Sequence, residues 1–493
     1  MTNNVIVIAC NGLHLGFLGP YGNGWIETPH LDRLASEGVV FDHHFAENLT
    51  TLPTHRSWWT GRYGFPEPEE GWTPLRHDEL LLPDRLHASG VRSALIADNP
   101  YLREPGNGYG RGFDDVVWVR GAGYDPFVSA DDPRARRVRV DQEPGLRLPP
   151  AEDPDRARWM DRWTQFLRNR AVFPNDKVET TNVARTVRSA VEWLERQARD
   201  GGPFFLWLDL FSPHGPWDPP QPFRDQYASY EPDEFEAGEE GDLVDEGEDA
   251  DIDLEEVPVL IDVPPGPVGD VLSEEELLRL RRTYAGSVSL LDDRLGVLFD
   301  TLQRLGRLDD TWIIFTADQG EPLGEHGYVR RYRPWLHEEL VHTPFMVRAP
   351  KGQWGGKRHR ALVQTVDLLP TVLSALGRPA AEDVHGHDLL PLVRGDRAKV
   401  RDYACMGMDV EEYAIRTLLW HFILPIEVDP DEPRRPQLYR KPEDRWEQDD
   451  VIERNVEVAE HLELQLRRFV DAVRGGDPRD LPSLRDIARF TAE

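Results

Sequence analysis

Short apolar runs that alternate with amphipathic helical stretches are the feature that most constrains the fold of this chain. Each run is four or five residues long and rich in β-branched, aromatic or leucine side chains. This order predicts βαβ units around a buried, mostly parallel sheet, and therefore an α/β fold. The predicted strands contain residues 5–8, 93–96, 204–208 and 312–315, and the predicted helices contain residues 28–38, 183–197 and 283–305.

The pattern changes after residue 396, where short strands at 413–416 and 420–424 precede a closing helix at about 455–473. We therefore predict an α/β domain over residues 1–396 and a small C-terminal α+β subdomain over residues 397–493. The first domain also contains a segment rich in Arg, Pro and Asp, residues 106–175, whose weak periodicity indicates an irregular excursion from the sheet.

An acidic insertion at about residues 229–268 interrupts the first domain. Roughly fifteen carboxylates lie between Glu231 and Glu256, and no basic residue lies between Arg224 and Arg279. This composition is typical of solvated, mobile chain, so we expect limited proteolysis to cut here first. Docking of a basic partner is a functional alternative, whereas a calcium loop would need a different spacing of Asp, Asn and Gly.

Composition excludes several kinds of partner. The net charge of −32 disfavours nucleic acid and anionic membrane surfaces, because both are bound through clustered Lys and Arg. Two cysteines, Cys10 and Cys405, cannot form a disulfide framework. The first apolar run starts at Val5 without a basic segment before it, and no stretch approaches the roughly 20 apolar residues of a membrane span. We expect a soluble, cytoplasmic protein of 493 residues.

Ligands of parallel sheets sit at the carboxyl ends of strands, so the residues after Ile8, Ile96, Leu208 and Phe315 are the candidates for a site. Four segments near these positions resemble the sulfatases of the alkaline-phosphatase-like superfamily in order and spacing. They are Gly19-Pro20-Tyr21-Gly22 with Thr28 to Gly38, Pro53 with Thr60-Gly61-Arg62-Tyr63, Thr316 to Gly320 with Leu323 to Gly327, and Val366 to Thr371.

The resemblance implies a large, mostly parallel sheet flanked by helices and a divalent cation held by hard oxygen ligands. Sulfatases place two adjacent Asp after the first strand, and these positions fall on Asn11 and Gly12. The later loop supplies Asp318 and Gln319. Only one carboxylate remains among these four positions, so we expect either no cation or a weakly bound calcium or magnesium ion.

The same resemblance places the nucleophile, a Cys or Ser that becomes formylglycine, at Thr51, and the Arg of that signature at His55. Thr cannot become formylglycine. Thr50 and Thr54 are alternatives to Thr51 for an alcohol nucleophile, and a role as a helix cap is the non-catalytic reading.

Four further positions correspond to substrate-binding residues of the family. Two of them are still basic in this chain, and at a third an acidic residue replaces a basic one. His214 matches a family His, and Arg331 stands where a Lys is usual. Asp98 replaces the Lys that neutralises the sulfate, and Pro100 replaces a nearby His. The basic groups expected to face Asp98 and Asp318 are His14, His55, His214, His326 and Arg331, so we expect anion binding that strengthens below about pH 6.5 as the imidazoles charge.

Histidines also suggest a less favoured alternative. Six of them lie in loops expected near the strand ends, and imidazoles with Asp318 would favour zinc over calcium. They are His14, His43, His44, His55, His214 and His326.

The preferred interpretation is a sulfatase-like protein whose hydrolase site has degenerated and whose pocket binds an anionic or sugar-like small molecule. An active phosphoester or sulfoester hydrolase that uses Thr51 with a remodelled metal site is the first alternative. A protein-interaction module that acts through the acidic insertion is the second. The sequence makes no prediction of oligomeric state.

Overall fold

The computed structural model describes residues 4–66, 72–228, 259–331, 336–408, 411–426 and 434–475. Its largest element is an eight-stranded sheet. In chain order the strands of this sheet are β1 (Asn4–Asn11), β2 (Val39–Phe45), β4 (Arg92–Ala97), β5 (Asp115–Trp118), β6 (Phe204–Pro213), β8 (Thr311–Ala317), β10 (Phe345–Arg348) and β11 (Lys357–Gln364), and the two-residue strand β3 (Asn48–Leu49) belongs to a second sheet. The order across the large sheet is β11-β2-β10-β8-β1-β6-β4-β5.

The centre of the sheet is parallel, as predicted. β1 pairs in parallel with β6 on one side and β8 on the other, and Val5 lies opposite Phe205 and Trp312. β10 is antiparallel to both of its neighbours. Every residue of β1 is buried, which explains why its sequence is a continuous apolar run instead of an alternating one. The four predicted strands are confirmed.

Helices cover both faces of the sheet and include the three predicted ones. In chain order they are α1 (Pro29–Glu37), α2 (Thr51–Thr60), α3 (Leu82–Ala88), α4 (Arg156–Val172), α5 (Asn182–Asp200), α6 (Gln221–Arg224), α7 (Val268–Val271), α8 (Glu274–Arg304), α9 (Glu338–Val341), α10 (Leu368–Ala375), α11 (Leu390–Arg394) and α12 (Val456–Gly475). α8 starts at a capping box in which Ser273 and Glu276 bond reciprocally, so its start is encoded locally.

The two faces of β1 contribute to two separate apolar cores because side chains alternate along a strand. Ile6 and Ile8 pack in the core that α5 and α8 cover. Val5 and Val7 pack in the opposite core, which contains Trp58 of α2 and the apolar side chains of α10 and α11. The sheet is therefore a central layer between helices, the architecture that the chain order predicts.

The segment 106–175 is more regular than predicted. It contributes β5, which pairs with β4 at the edge of the sheet, and the 17-residue helix α4. Residues 229–258 of the predicted acidic insertion lie outside the described residues. Its last part, residues 259–268, packs against the body, because Asp262 is fully buried and accepts hydrogen bonds from Tyr124 Oη at 2.6 Å and Trp163 Nε1 at 3.0 Å. These residues are folded structure, contrary to the predicted extent of the mobile insertion.

The C-terminal region forms a five-stranded sheet in the order β15-β14-β13-β12-β3. Its own strands are β12 (Ala404–Met408), β13 (Glu412–Arg416), β14 (Trp420–Pro425) and β15 (Gln437–Arg440), and a further pair consists of β7 (Gly266–Pro267) and β9 (Tyr328–Val329). Phe469 and Leu466 of α12 pack on β13 and β14, so the predicted strands and closing helix are confirmed. Among the described residues, no helix is long and apolar enough to cross a membrane.

Candidate functional site at the strand ends

The ends of β1 and β8 bring Asn11 and Asp318 together. Cys10 lies opposite Ala317, so the next residues leave neighbouring strands at the same level. Asn11 Nδ2 donates to Asp318 Oδ2 at 2.7 Å, and the Gly12 amide donates to Asp318 Oδ1 at 3.0 Å. Burial raises the pKa of Asp318 to about 6, although the charge of His55 and the Gly12 amide oppose this shift.

Thr51, the predicted nucleophile position, lies beside this pair at the first turn of α2. Asn11 Nδ2 donates to Thr51 Oγ1 at 2.9 Å, and the Thr51 side chain is also hydrogen-bonded to Asp318. Thr51 is 2% exposed. The Thr51 hydroxyl therefore accepts a hydrogen bond from Asn11 and donates one to Asp318. Thr54 is engaged elsewhere, because its hydroxyl donates to the Asn48 carbonyl at 2.8 Å.

His55 lies one turn further along α2 and forms a buried ion pair. Its Nε2–H donates to Asp209 Oδ2 at 2.6 Å, and its Nδ1 lies 2.7 Å from the Thr51 carbonyl. Burial lowers the pKa of His55, but the neighbouring Asp209 carboxylate outweighs burial and raises it overall. The charge of His55 is thus balanced by Asp209, so His55 does not offer a free positive charge to a bound anion.

Asp209 is a residue that the sequence analysis missed. It also accepts from Trp207 Nε1 at 2.9 Å and from Asn99 Nδ2 at 3.2 Å. A signal was present in the sequence, since Asp209 is the one ionisable side chain in the apolar run 204–210. A lone carboxylate in a buried strand needs partners, and the strand-end rule would have placed His55 among them.

His214 and Arg331 meet, as the resemblance implied. Arg331 Nη2 donates to His214 Nε2 at 2.9 Å, and His214 Nδ1–H donates to the Gly215 carbonyl at 2.7 Å. Burial holds the pKa of His214 well below its ordinary value, and the charges of Arg331 and Arg330 lower it further. The expectation that His214 charges on mild acidification is therefore wrong, because a protonated ring would repel the guanidinium that donates to it.

Glu321 and Arg330 are further residues that sequence reasoning missed. The Glu321 carboxylate is fully buried and lies 3.1 Å from Arg330 Nη1 and 3.9 Å from Arg331 Nη1. Arg330 Nη2 also lies 3.3 Å from Asp262 Oδ1. The run of two arginines after the later loop was the available signal, because a buried guanidinium requires a carboxylate nearby.

The backbone at Gly12 favours a residue without a side chain. Its φ of +66° is in the left-handed region, and a Cβ there would lie 3.3 Å from Glu321 Oε2. An acidic side chain at position 12 would be strained and would meet a second carboxylate. The backbone and Glu321 are thus arranged for glycine.

Asp98 directly follows β4 and contacts the end of β6. Burial raises its pKa to about 7; the Phe211 amide, which donates to Asp98 Oδ1 at 2.8 Å, opposes this shift, and the Asp209 charge adds to it. Asp98 and His214 line one cavity of about 100 Å³ at the end of β6. The other polar and aromatic groups around this cavity include Phe173, Thr181, Asn182, Phe211 and Ser287.

The histidines of the zinc alternative do not converge. His43 Nδ1 lies 3.0 Å from the Arg360 carbonyl, and His44 Nδ1 lies 2.7 Å from Thr343 Oγ1. His14 accepts from the Gly16 amide at 2.9 Å, and its Nε2 lies 3.4 Å from Glu325 Oε1. Because these side chains leave different strands and loops, they do not surround Asp318 with imidazole nitrogens.

Among the described residues, the oxygen ligands at the strand ends fit a weakly held calcium or magnesium ion. Asn11 Oδ1 and Gln319 Oε1 are buried without a hydrogen-bond partner, and Asp318 supplies one carboxylate. Three oxygens with a single charge give weak attraction for a hard cation, and both Asp318 oxygens already accept hydrogen bonds. Such an ion would neutralise part of the charge of a bound anion.

The fold and this strand-end arrangement define an α/β protein with a large, mostly parallel sheet between layers of helices. The sulfatase family model matches residues 3–378, and the chain belongs to the sulfatase family. A second model, described as N-sulphoglucosamine sulphohydrolase, C-terminal, matches residues 324–467.

Two relatives illustrate the breadth of the similarity. The chain is 28% identical over 391 residues to the multifunctional alkaline phosphatase superfamily protein PehA of Trinickia caryophylli, covering 75% of this chain and 72% of that protein. It is 24% identical over 419 residues to the N-acetylglucosamine-6-O-sulfatase of Bacteroides thetaiotaomicron, covering 78% and 69%.

Solved structures show the same fold at low identity. The phosphonate monoester hydrolase of Agrobacterium radiobacter has a TM-score of 0.68 at 19% identity and covers 96% of this chain and 95% of its own. A protein in complex with its substrate D-glucosamine-2-N,6-O-disulfate has a TM-score of 0.66 at 19% identity, with coverage of 97% and 99%. The expected family and fold are therefore confirmed.

Proposed function

We propose that this sulfatase-family chain does not hydrolyse sulfate esters and instead binds an anionic or sugar-like small molecule at its strand ends. The observation that carries the proposal is the environment of Thr51. Its buried hydroxyl accepts from Asn11 and is hydrogen-bonded to Asp318, and a Thr side chain cannot be converted to formylglycine. The position of the nucleophile therefore holds an internal hydrogen-bonding group.

The charges of the site support binding over catalysis. Asp98 stands where the sulfate-neutralising Lys is expected, and Asp318 is the one carboxylate left among the family's metal-binding positions. The transition state of ester hydrolysis gathers negative charge, so a site with these two acids and a weak cation stabilises it poorly. Arg331 remains as a fixed positive charge, 20% exposed in its side chain, and can contact an anion.

The relatives support a sugar-like ligand. One related protein is named as an N-acetylglucosamine-6-O-sulfatase, and one similar structure contains D-glucosamine-2-N,6-O-disulfate. The cavity at the end of β6 is lined by the amide side chain of Asn182 and the aromatic ring of Phe211, and sugars are commonly bound by a polar group beside an aromatic face.

A first experiment tests hydrolysis. The purified full chain is assayed with 4-nitrophenyl sulfate, 4-nitrophenyl phosphate and a phenylphosphonate monoester, with calcium and with magnesium. We expect rates equal to those of Thr51→Ala and far below the order of 10 per second of typical enzymes. Turnover that Thr51→Ala abolishes would overturn the proposal.

A second experiment tests binding with glucosamine 6-sulfate, measured by calorimetry at pH 8. Arg331→Gln should weaken binding by about 10- to 100-fold, because a charge-assisted hydrogen bond contributes about 1.5–3 kcal/mol. Asp98→Asn should strengthen binding, since it removes a negative charge from the cavity at the end of β6, beside His214. Absence of binding, or equal affinities in the two variants, would contradict a strand-end anion site.

One observation favours the hydrolase alternative. Asp318 has a pKa of about 6 and is hydrogen-bonded to Thr51, the arrangement of an alcohol nucleophile with a general base. In that case Thr51→Ala and Asp318→Asn would both lose turnover, whereas Thr50→Ser would retain it. The interaction module that acts through the acidic insertion rests on residues outside the described ones, and it stays a prediction, as does the cytoplasmic location.

A further inference from the structure

A second group of titratable side chains lies where the loop after β8 meets the C-terminal subdomain. One ring nitrogen of His326, one of His337 and one carboxylate oxygen of Glu447 all lie within 4.8 Å of one another. The two rings have centroids 4.0 Å apart. We call these three residues the His–Glu cluster. His337 and Glu447 are largely buried, and His326 is partly exposed.

Hydrogen bonds already orient the three side chains towards each other. His337 Nδ1 lies 2.7 Å from Glu447 Oε2, and His326 Nε2 lies 3.2 Å from the Glu447 carbonyl oxygen. Glu339 Oε1 lies 3.0 Å from His326 Nδ1. Two imidazoles and a carboxylate are ligands that zinc accepts, whereas calcium and magnesium prefer oxygen alone.

Two basic side chains hold one oxygen of the Glu447 carboxylate. Lys441 Nζ lies 3.0 Å from Oε1, and His421 Nδ1 lies 2.5 Å from the same oxygen. These two groups hold one carboxylate oxygen in place, so Oε2 is the oxygen presented to His337.

Charged side chains surround the cluster. Three carboxylates face two fixed cations, and the rings of His342 and His421 contact two of these carboxylates, Glu338 and Glu447. The five groups are Glu338, Glu339, Glu447, Arg416 and Lys441.

The backbone of the cluster is unusual at two of its three members. His326 has a φ of 52° and Glu447 a φ of 59°, both in the left-handed region that side chains other than glycine seldom adopt. A glutamate in this region is strained and persists where the surroundings hold it. The strain brings the two side chains to the same point from segments 121 residues apart.

We propose that the His–Glu cluster binds one zinc ion through His326, His337 and Glu447. A water molecule completes the tetrahedron, and Glu339 orients the His326 ring from its other side. The ion joins the loop that carries Arg331 to the C-terminal subdomain, so its role is structural and does not depend on the proposed function at the strand ends.

The test uses the full chain without a polyhistidine tag, stripped with chelator and titrated with zinc at pH 7.5. We expect one ion per chain with a dissociation constant of about 1 μM or lower. His326→Gln and His337→Gln should each weaken zinc binding by about 100-fold or more, because each removes one of three ligands. His342→Gln, a nearby histidine outside the cluster, and Asp318→Asn at the strand ends should retain it.

Cobalt substitution of the unaltered chain provides a second measurement in case a variant fails to fold. Cobalt bound by two imidazoles and a carboxylate in a tetrahedron has strong visible absorption, which zinc should then abolish stoichiometrically. Absence of zinc binding overturns the proposal, as does full retention of zinc in His337→Gln. Loss of zinc in Asp318→Asn alone would place the ion at the strand ends instead and would also overturn it.

Discussion

The side-chain amide of Asn11 donates to Asp318 at 2.7 Å across two neighbouring strand ends. Sulfatases carry a carboxylate at the first of these positions, and two carboxylates this close are stable only with a cation between them. The amide removes that requirement, because it is uncharged and donates a hydrogen bond to Asp318, so no cation is needed to screen two charges. The same Asn11 amide also donates a hydrogen bond to Thr51 Oγ1. Asn11 therefore affects both the cation site at Asp318 and the Thr51 hydroxyl.

Asn11→Asp should therefore make the protein dependent on a cation. The new carboxylate would face Asp318 without a donor between them, and we expect a loss of about 1–3 kcal/mol in the free energy of unfolding at pH 8 without metal. Calcium should restore part of this loss. Thermal unfolding with and without calcium measures the effect, and Asn11→Ala is the control that should not respond to calcium.

Asp209→Asn should destabilise the chain strongly, because it leaves His55 buried without its counter-charge. Breaking a buried ion pair costs about 3–5 kcal/mol. The pair stabilises a protonated His55 whose pKa is raised on folding, so its contribution is fully present below the unfolded pKa and is lost as the pH rises through the folded pKa.

Urea unfolding at several pH values would test this pair. The stability difference between the original chain and Asp209→Asn should be largest at low pH and should shrink towards high pH. A difference that does not change with pH would mean that the His55 proton does not contribute to it.

Anion binding at the strand ends should strengthen on acidification, but not through His214. Asp98 and Asp318 have pKa values of about 7 and 6, so both lose negative charge between pH 8 and pH 5. Titrations of glucosamine 6-sulfate at these two pH values should show tighter binding at pH 5. His214→Gln should keep this pH dependence, and Asp98→Asn should reduce it. If His214→Gln removed the pH dependence and Asp98→Asn kept it, the His214 imidazole would be its source.

Glu47 should lower stability at alkaline pH. This fully buried carboxyl has a pKa of about 8, raised by burial against hydrogen bonds from Ser57 and Gly64. A raised pKa means that its stabilising, protonated form is lost as the pH rises through about 8. Glu47→Gln should remove a loss on the order of 2–4 kcal/mol between pH 6 and pH 10, as measured by denaturant unfolding at both. Parallel pH profiles for the two proteins would contradict this assignment.

Most of the fold could be predicted from local patterns. The four central strands are apolar because they are buried on both faces, and each of the predicted helices carries the periodicity of a helix packed on one side. The segment 106–175 was harder, because β5 is an edge strand of four residues, none of them fully buried, and so short a strand gives little periodicity to recognise.

The strand-end positions were predictable in the same way, since register in a parallel sheet follows from the order of the strands. Asn11, Thr51 and Asp318 do meet. Their roles were not predictable, because a Thr hydroxyl that is bonded to a carboxylate and one that faces a substrate have the same sequence. The pKa of His214 also depends on which guanidinium lies beside it.

The sequence by itself determined the α/β layers and the sulfatase family, because these depend on periodicity and ordered motifs. Tertiary structure alone decided how the remaining groups are paired. Asp209 joins His55 across 154 residues, Glu321 joins Arg330, and Glu447 joins His337 across 110 residues. Such pairs depend on distance in space, which burial and strand register set and which no local pattern encodes.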